Sequence, residues 1–171
     1  MSTMEVVIGT FVDDLEKADV FLKKYEKSHD QLNIAEAVMI VQEAGEKPIV
    51  TYMGVSKKKA AGIGTIAGAF IGVIGGPAGI VVGGAIGAFA GGAAAALSHV
   101  GVSKDMIEHV EQNMPETGST IIVIVSVETH HLIIKDLKDG GAEIMTETVS
   151  SDQVKKAGLI SPSGGIGEMT S

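Results

Sequence analysis

From Ala60 to Ser98 the chain carries no charged side chain, and 12 of those 39 positions are glycine. Gly64, Gly68, Gly72 and Gly76 form one unbroken every-fourth series, and Gly75, Gly79, Gly83, Gly87 and Gly91 form a second. Residues four apart lie on one face of a helix, so each series predicts a smooth groove that another backbone can approach closely. Gly75-Gly76-Pro77 is the natural break, because proline cannot continue a helix interior. The block therefore reads as two helices folded back on each other over about 60–76 and 78–98, with Pro77 at the hairpin turn.

Length and hydropathy then bear on the surroundings of such a hairpin. At about 1.5 Å per residue the arms reach roughly 25 and 31 Å, against a bilayer core of about 30 Å. Each arm holds six strongly apolar residues, among them Phe70 and Val73 in the first and Leu97 in the second. At about 0.3–0.6 kcal/mol each, an arm gains only roughly 2–4 kcal/mol on insertion. A packed pair is therefore favoured over two independent spans. In water the glycines would cost a helix on the order of 10 kcal/mol, so a soluble hairpin requires dense burial, as inside an oligomer. In lipid the backbone has no other way to satisfy its hydrogen bonds, and the penalty matters less.

Lys57-Lys58-Lys59 stands directly before the block, which suits an anionic membrane surface on the cytoplasmic side. A hairpin returns the chain to its starting side, so both termini are expected in the cytoplasm. The bland alternative is a solvated charge run. Trp or Tyr belts, usual at the ends of membrane spans, are missing.

The flanks read as a small α+β domain. Glu5–Phe11 predicts a buried strand, Asp13 with Glu16 a capping pair, and Leu15 to Tyr25 an amphipathic helix ending near Ser28. Ile34–Gln42 and Pro48–Met53 predict two strands around a short loop containing Gly45. After the block, Ser103 predicts the cap of a short helix closed by Pro115. Ile121–Val127 predicts a central strand buried on both faces. Thr129 predicts the start of a helix ended by Gly140-Gly141, and Ala142–Val149 an edge strand. Two βαβ halves emerge, and side by side they make a ferredoxin-like split βαβ sheet interrupted by the helical hairpin. The expected organisation is 1–56 for the first half plus an extra strand and 57–102 for the hairpin. The second half then takes 103–149, and 150–171 is a mobile tail.

Composition narrows the function. The net charge is −8, all 13 basic residues are lysine, tryptophan is absent and aromatics make up 4%. Nucleic-acid binders use a basic surface with arginines and stacking aromatics, so that class is excluded here. The absence of cysteine removes disulfides, thiolate catalysis and thiolate metal sites. The N-terminus lacks the basic and apolar regions of a signal peptide. Hydrophobic residues reach 45% and mean hydropathy +0.32 despite 20% charged residues, because the apolar ones are concentrated in the block.

Gly62-Ile63-Gly64-Thr65-Ile66-Ala67 matches a dinucleotide-binding pattern, but the acidic residue expected about twenty positions on is missing, and the glycines continue as a zipper. His130-His131 are neighbours on a helix start and point apart. Asp14 is left as a first-turn complement to the helix dipole. No nucleophile, base or metal set emerges, so the expectation is a non-enzyme without cofactors or an identified small-molecule substrate.

In the order of its elements, with the Lys57-Lys58-Lys59 lead-in and the Gly64–Gly91 double zipper, the chain resembles the bacterial and archaeal predicted membrane proteins of domain of unknown function family 1269. The resemblance covers about Glu5 to Val149. It implies a βα start, a glycine- and alanine-rich hairpin and a helix–strand–helix–strand ending, and it brings no catalytic residues. The leading expectation is a membrane-associated protein on the cytoplasmic membrane. It inserts its hairpin into the lipid bilayer and forms a homo-oligomer through glycine faces and sheet edges. The alternative is a soluble, cytoplasmic self-assembling particle or filament with the hairpins as a buried core. A regulatory domain that binds a ligand on its sheet face rests on fold analogy alone.

Overall fold

The structure, a computed structural model, describes residues 3–53, 69–70, 73, 97–98, 101–150 and 152. Runs of β-branched residues form five strands: β1 (Thr3–Val12), β2 (Ile34–Gln42), β3 (Ile49–Tyr52), β4 (Gly118–Ser126) and β5 (Glu143–Ser150). The helices described from end to end are α1 (Lys17–Leu32), α2 (Lys104–Asn113) and α3 (His130–Asp139). Ser150, expected as the first residue of the tail, belongs to β5, and the rest of the expected tail apart from Asp152 lies outside the described residues.

All strands join one antiparallel sheet in the order β3-β2-β4-β1-β5. The segments on either side of the glycine block thus share a single hydrogen-bonded layer. β1 and β2 run in the same direction with β4 between them, and β4 and β5 run in the same direction with β1 between them. Each crossover helix, α1 or α3, therefore skips one strand that the other half supplies.

Alternation along the strands divides the apolar residues between two faces. The first face carries Val7, Phe11, Ala37, Met39, Val123 and Val125 beneath Phe21, Leu22 and Tyr25 of α1 and Ile133 and Leu137 of α3. The second carries Val6, Ile8, Val38, Ile40, Ile122 and Ile124 beneath Met106, Ile107 and Val110 of α2. Cover on both faces explains the unbroken apolar run Ile121–Val125 within β4, part of the expected strand Ile121–Val127, with every residue from Gly118 to Val125 buried.

Helix ends show where the sequence reading holds and where it changes. Ser103 caps α2, its hydroxyl oxygen accepting from the Met106 N–H at 3.2 Å. Glu16 is the N-cap residue of α1 and its side chain caps nothing, so the start of the helix is held by Asp14 and not by the Asp13–Glu16 pair. One Asp14 carboxylate oxygen accepts the Glu16 and Lys17 N–H groups at 3.0 and 2.9 Å. Asp13 instead takes a left-handed conformation (φ 58°), and its N–H donates to the Thr117 carbonyl at 3.0 Å. Long-range pairing of this turn with the segment that leads into β4 takes Asp13 out of the capping role. Thr129 stands at the start of α3 but caps nothing with its side chain, because its hydroxyl donates to the Leu32 carbonyl at the end of α1. Gly118 is required: a Cβ there would lie 2.4 Å from the Phe11 carbonyl oxygen, at φ +155°.

Candidate functional site

The site residues expected from sequence fall on the glycine block. Gly64, Gly68, Gly72, Gly76, Gly75, Gly79, Gly83, Gly87 and Gly91, with Pro77 and Lys57, Lys58 and Lys59, all lie outside the described residues. The described residues of the block are Ala69, Phe70, Val73, Leu97 and Ser98, all helical. The first four are buried, and they belong to the second-face core with Val6, Ile8, Val38, Ile40, Ile122 and Ile124. Phe70 and Leu97, one from each predicted arm, are fully buried. Sequence periodicity did not assign these side chains to the sheet, because apolar residues in an uncharged segment suit lipid and protein equally.

The second face also contains a buried carboxyl group. Glu36 is 3% exposed and pairs in register with Ile124; Tyr52 pairs with Val38 on the same face. Burial first, and the negative charge of Glu36 second, push the Tyr52 hydroxyl up to about 12. The signal was legible as an acidic residue inside the apolar run Ile34–Val41, but strand alternation alone puts such a residue in water. Near the other end of this face, the Thr120 hydroxyl meets Thr10 at 3.4 Å and the Met114 sulfur at 3.7 Å. The Ser103 hydroxyl donates to Glu147 at 2.8 Å, which ties the head of α2 to β5.

On the first face the polar groups latch helices together. Asp136 of α3 accepts the Tyr25 hydroxyl at 3.0 Å and the Lys24 ammonium at 2.6 Å. Burial, with the Asp136 charge adding to it, holds the Tyr25 hydroxyl far above its ordinary range. The Ala18 N–H, at the start of α1, donates to the Ser119 hydroxyl at 3.2 Å. Gly140 lets α3 close on α1, since a Cβ there would come within 2.5 Å of the Phe21 ring. His130 is held to the Val127 carbonyl through Nδ1, and its ring stands edge-on to that of His131, with centroids 6.1 Å apart. Among the described residues no group of three His, Asp or Glu side chains is placed to hold a metal ion, and no helix is long and apolar enough to cross a membrane.

These contacts make a two-sided scaffold in which Ala69, Phe70, Val73 and Leu97 of the glycine block are buried in the second-face core. Residues 61–158, more than half of the chain, match a family described as protein of unknown function (DUF1269). The chain belongs to this family. The DUF1269 match starts inside the glycine block and takes in α2, β4, α3 and β5. It is shorter at its start than the resemblance drawn from the order of elements, because β1, α1, β2 and β3 precede it. No curated protein and no solved structure matches the chain.

Proposed function

We propose that the chain is a non-enzymatic, membrane-associated protein that self-associates through a glycine-zipper hairpin seated on a ferredoxin-like split βαβ sheet. The strand order β2-β4-β1-β5, with two crossover helices on one face, supports the split βαβ reading. The observation that carries the proposal is the burial of Ala69, Phe70, Val73 and Leu97 in the second-face core. On a helix of 3.6 residues per turn, Ala69, Phe70 and Val73 share one face, and Gly64, Gly68 and Gly72 are centred about two-fifths of a turn away. An arm can therefore dock on the sheet with one side and offer its glycine side to a further backbone. The lysine triad supports contact with an anionic membrane surface.

One observation favours the soluble assembly. Phe70 and Val73 are two of the six strongly apolar residues of the first arm, and they lie in the protein's own core. The remaining four supply roughly 1–2.5 kcal/mol toward insertion, which leaves little margin.

The test uses the full chain, because deleting residues 60–98 would also remove Phe70 and Leu97 from the core. Flotation with anionic vesicles and carbonate-washed membrane pelleting are compared for the native chain, Lys57→Glu/Lys58→Glu/Lys59→Glu and Gly68→Leu/Gly83→Leu. The proposal expects the native chain to float and resist carbonate, the lysine variant to float less, and the glycine variant to lose its oligomer while keeping its circular dichroism. A native chain that stays out of vesicles and runs as a large particle, dispersed by Gly68→Leu/Gly83→Leu, establishes the soluble assembly instead. An oligomer unchanged by the glycine substitutions sinks the zipper.

A further inference from the structure

The two edges of the sheet are built differently. β3 is four residues long and follows Lys47 and Pro48, features that blunt an edge against pairing. β5 is eight residues long, pairs with β1 alone among the described residues, and contains no lysine, no proline and no break in its register with β1. Every second residue of such a strand turns its N–H and C=O away from its neighbour. Thr146 and Thr148, on the helix-covered side of the sheet, are exposed, so α3 stops short of this margin.

We infer that β5 is a self-pairing edge, which joins two copies of this chain antiparallel about a two-fold axis through Thr146 and continues the sheet from one copy into the next. A two-fold axis normal to the sheet keeps each face continuous, so it must pass through a residue position and pair residues of the same face. The two registers with the longest overlap are centred on Thr146 and on Glu147. The second sets Glu147 against its own copy, a destabilising like-charge pair. The first sets Glu143 opposite Val149, Met145 opposite Glu147, Ile144 opposite Thr148 and Thr146 opposite itself. No carboxylate then faces another directly across the seam, and the threonine pair is a favourable cross-strand match. The seam deepens the self-association reading but is carried by the sheet, independently of the hairpin.

The chain has no cysteine, so a single introduced thiol reports its own distance to its copy. In this register Thr146→Cys meets its counterpart with Cα atoms about 4.5–5.5 Å apart, within disulfide reach. Glu143→Cys and Thr148→Cys would lie roughly 20 and 14 Å from theirs, at about 3.4 Å per residue. The full-length variants are oxidised and scored for covalent dimer on non-reducing gels, with circular dichroism to confirm the fold. The expected result is a dominant dimer for Thr146→Cys and at least about tenfold less for the other two, since disulfides require Cα separations below about 7 Å. Ile144→Cys mixed with Thr148→Cys should cross-link, and neither should alone. The Thr146→Cys dimer should persist in the Gly68→Leu/Gly83→Leu background, which separates this seam from the zipper. Equal cross-linking at positions 143 and 146, none at 146, or loss in that background overturns the inference.

Discussion

The two faces of the sheet are closed by different means. On the first, α1 and α3 lie in sequence next to the strands they cover, and polar latches fix them: Asp136 to Tyr25 and Lys24, Ser119 to Ala18, Thr129 to Leu32. On the second, the ten-residue α2 shares the work with Ala69, Phe70, Val73 and Leu97 from the glycine block. The first face is a self-contained core. The second depends on side chains that come from a segment remote in sequence from the strands they cover. The buried Glu36 belongs to that same face.

Removing the Phe70 ring should separate the two faces most sharply. Phe70→Ala should destabilise the full chain by about 3–5 kcal/mol, the usual cost of truncating a buried phenylalanine. Urea unfolding followed by far-UV circular dichroism measures it, and a loss near zero would mean that the second face holds without the block. Next, Gly140→Ala drives a methyl into the Phe21 ring, with an expected cost of about 1–3 kcal/mol from overpacking. Its effect should be confined to the first face, leaving vesicle flotation unchanged among molecules that remain folded. Tyr25→Phe removes the hydroxyl that Asp136 accepts. Because Lys24 still pairs with that carboxylate, the shift in the urea midpoint should correspond to about 1 kcal/mol.

At neutral pH the Tyr52 hydroxyl should leave no mark on pH dependence, and its effect belongs to the alkaline range. Folding raises the Tyr52 pKa from 10.0 to about 12, so the neutral hydroxyl's contribution is complete below pH 10 and is lost as pH rises through 12. Stability of the native chain should therefore fall more steeply over that window than stability of Tyr52→Phe, as read from urea midpoints at stepped alkaline pH. Parallel curves would place Tyr52 in water and detach it from Glu36. Tyr25 shifts in the same direction in both chains and cancels from the difference.

Much of the fold was legible in advance. The bounds of β2 came directly from the apolar run Ile34–Gln42, and the Ser103 cap and the Pro115 stop framed α2. Local chemistry sets these features: a hydroxyl before a helix satisfies an orphan N–H wherever the helix finally packs. The Asp13 cap failed for the complementary reason, since a turn held by Thr117, more than a hundred residues away, outcompeted it. The expected site was legible only as a pattern. Glycine spacing marks a surface for close approach but does not name the partner, because lipid, a second arm and a second copy all present the same smooth requirement.

Periodicity and order along the chain were enough to set the element types, the α+β class and the uncharged glycine block, and to bring out the resemblance to DUF1269 that the family match bears out. Tertiary packing was needed to place β1 between β4 and β5, to bring Glu36 and Tyr52 onto one buried face, and to assign Phe70 and Leu97 to the sheet's core. Those outcomes depend on which faces meet at long range. Periodicity sets which face of an element is apolar, and the competition among all such faces for burial sets where it goes.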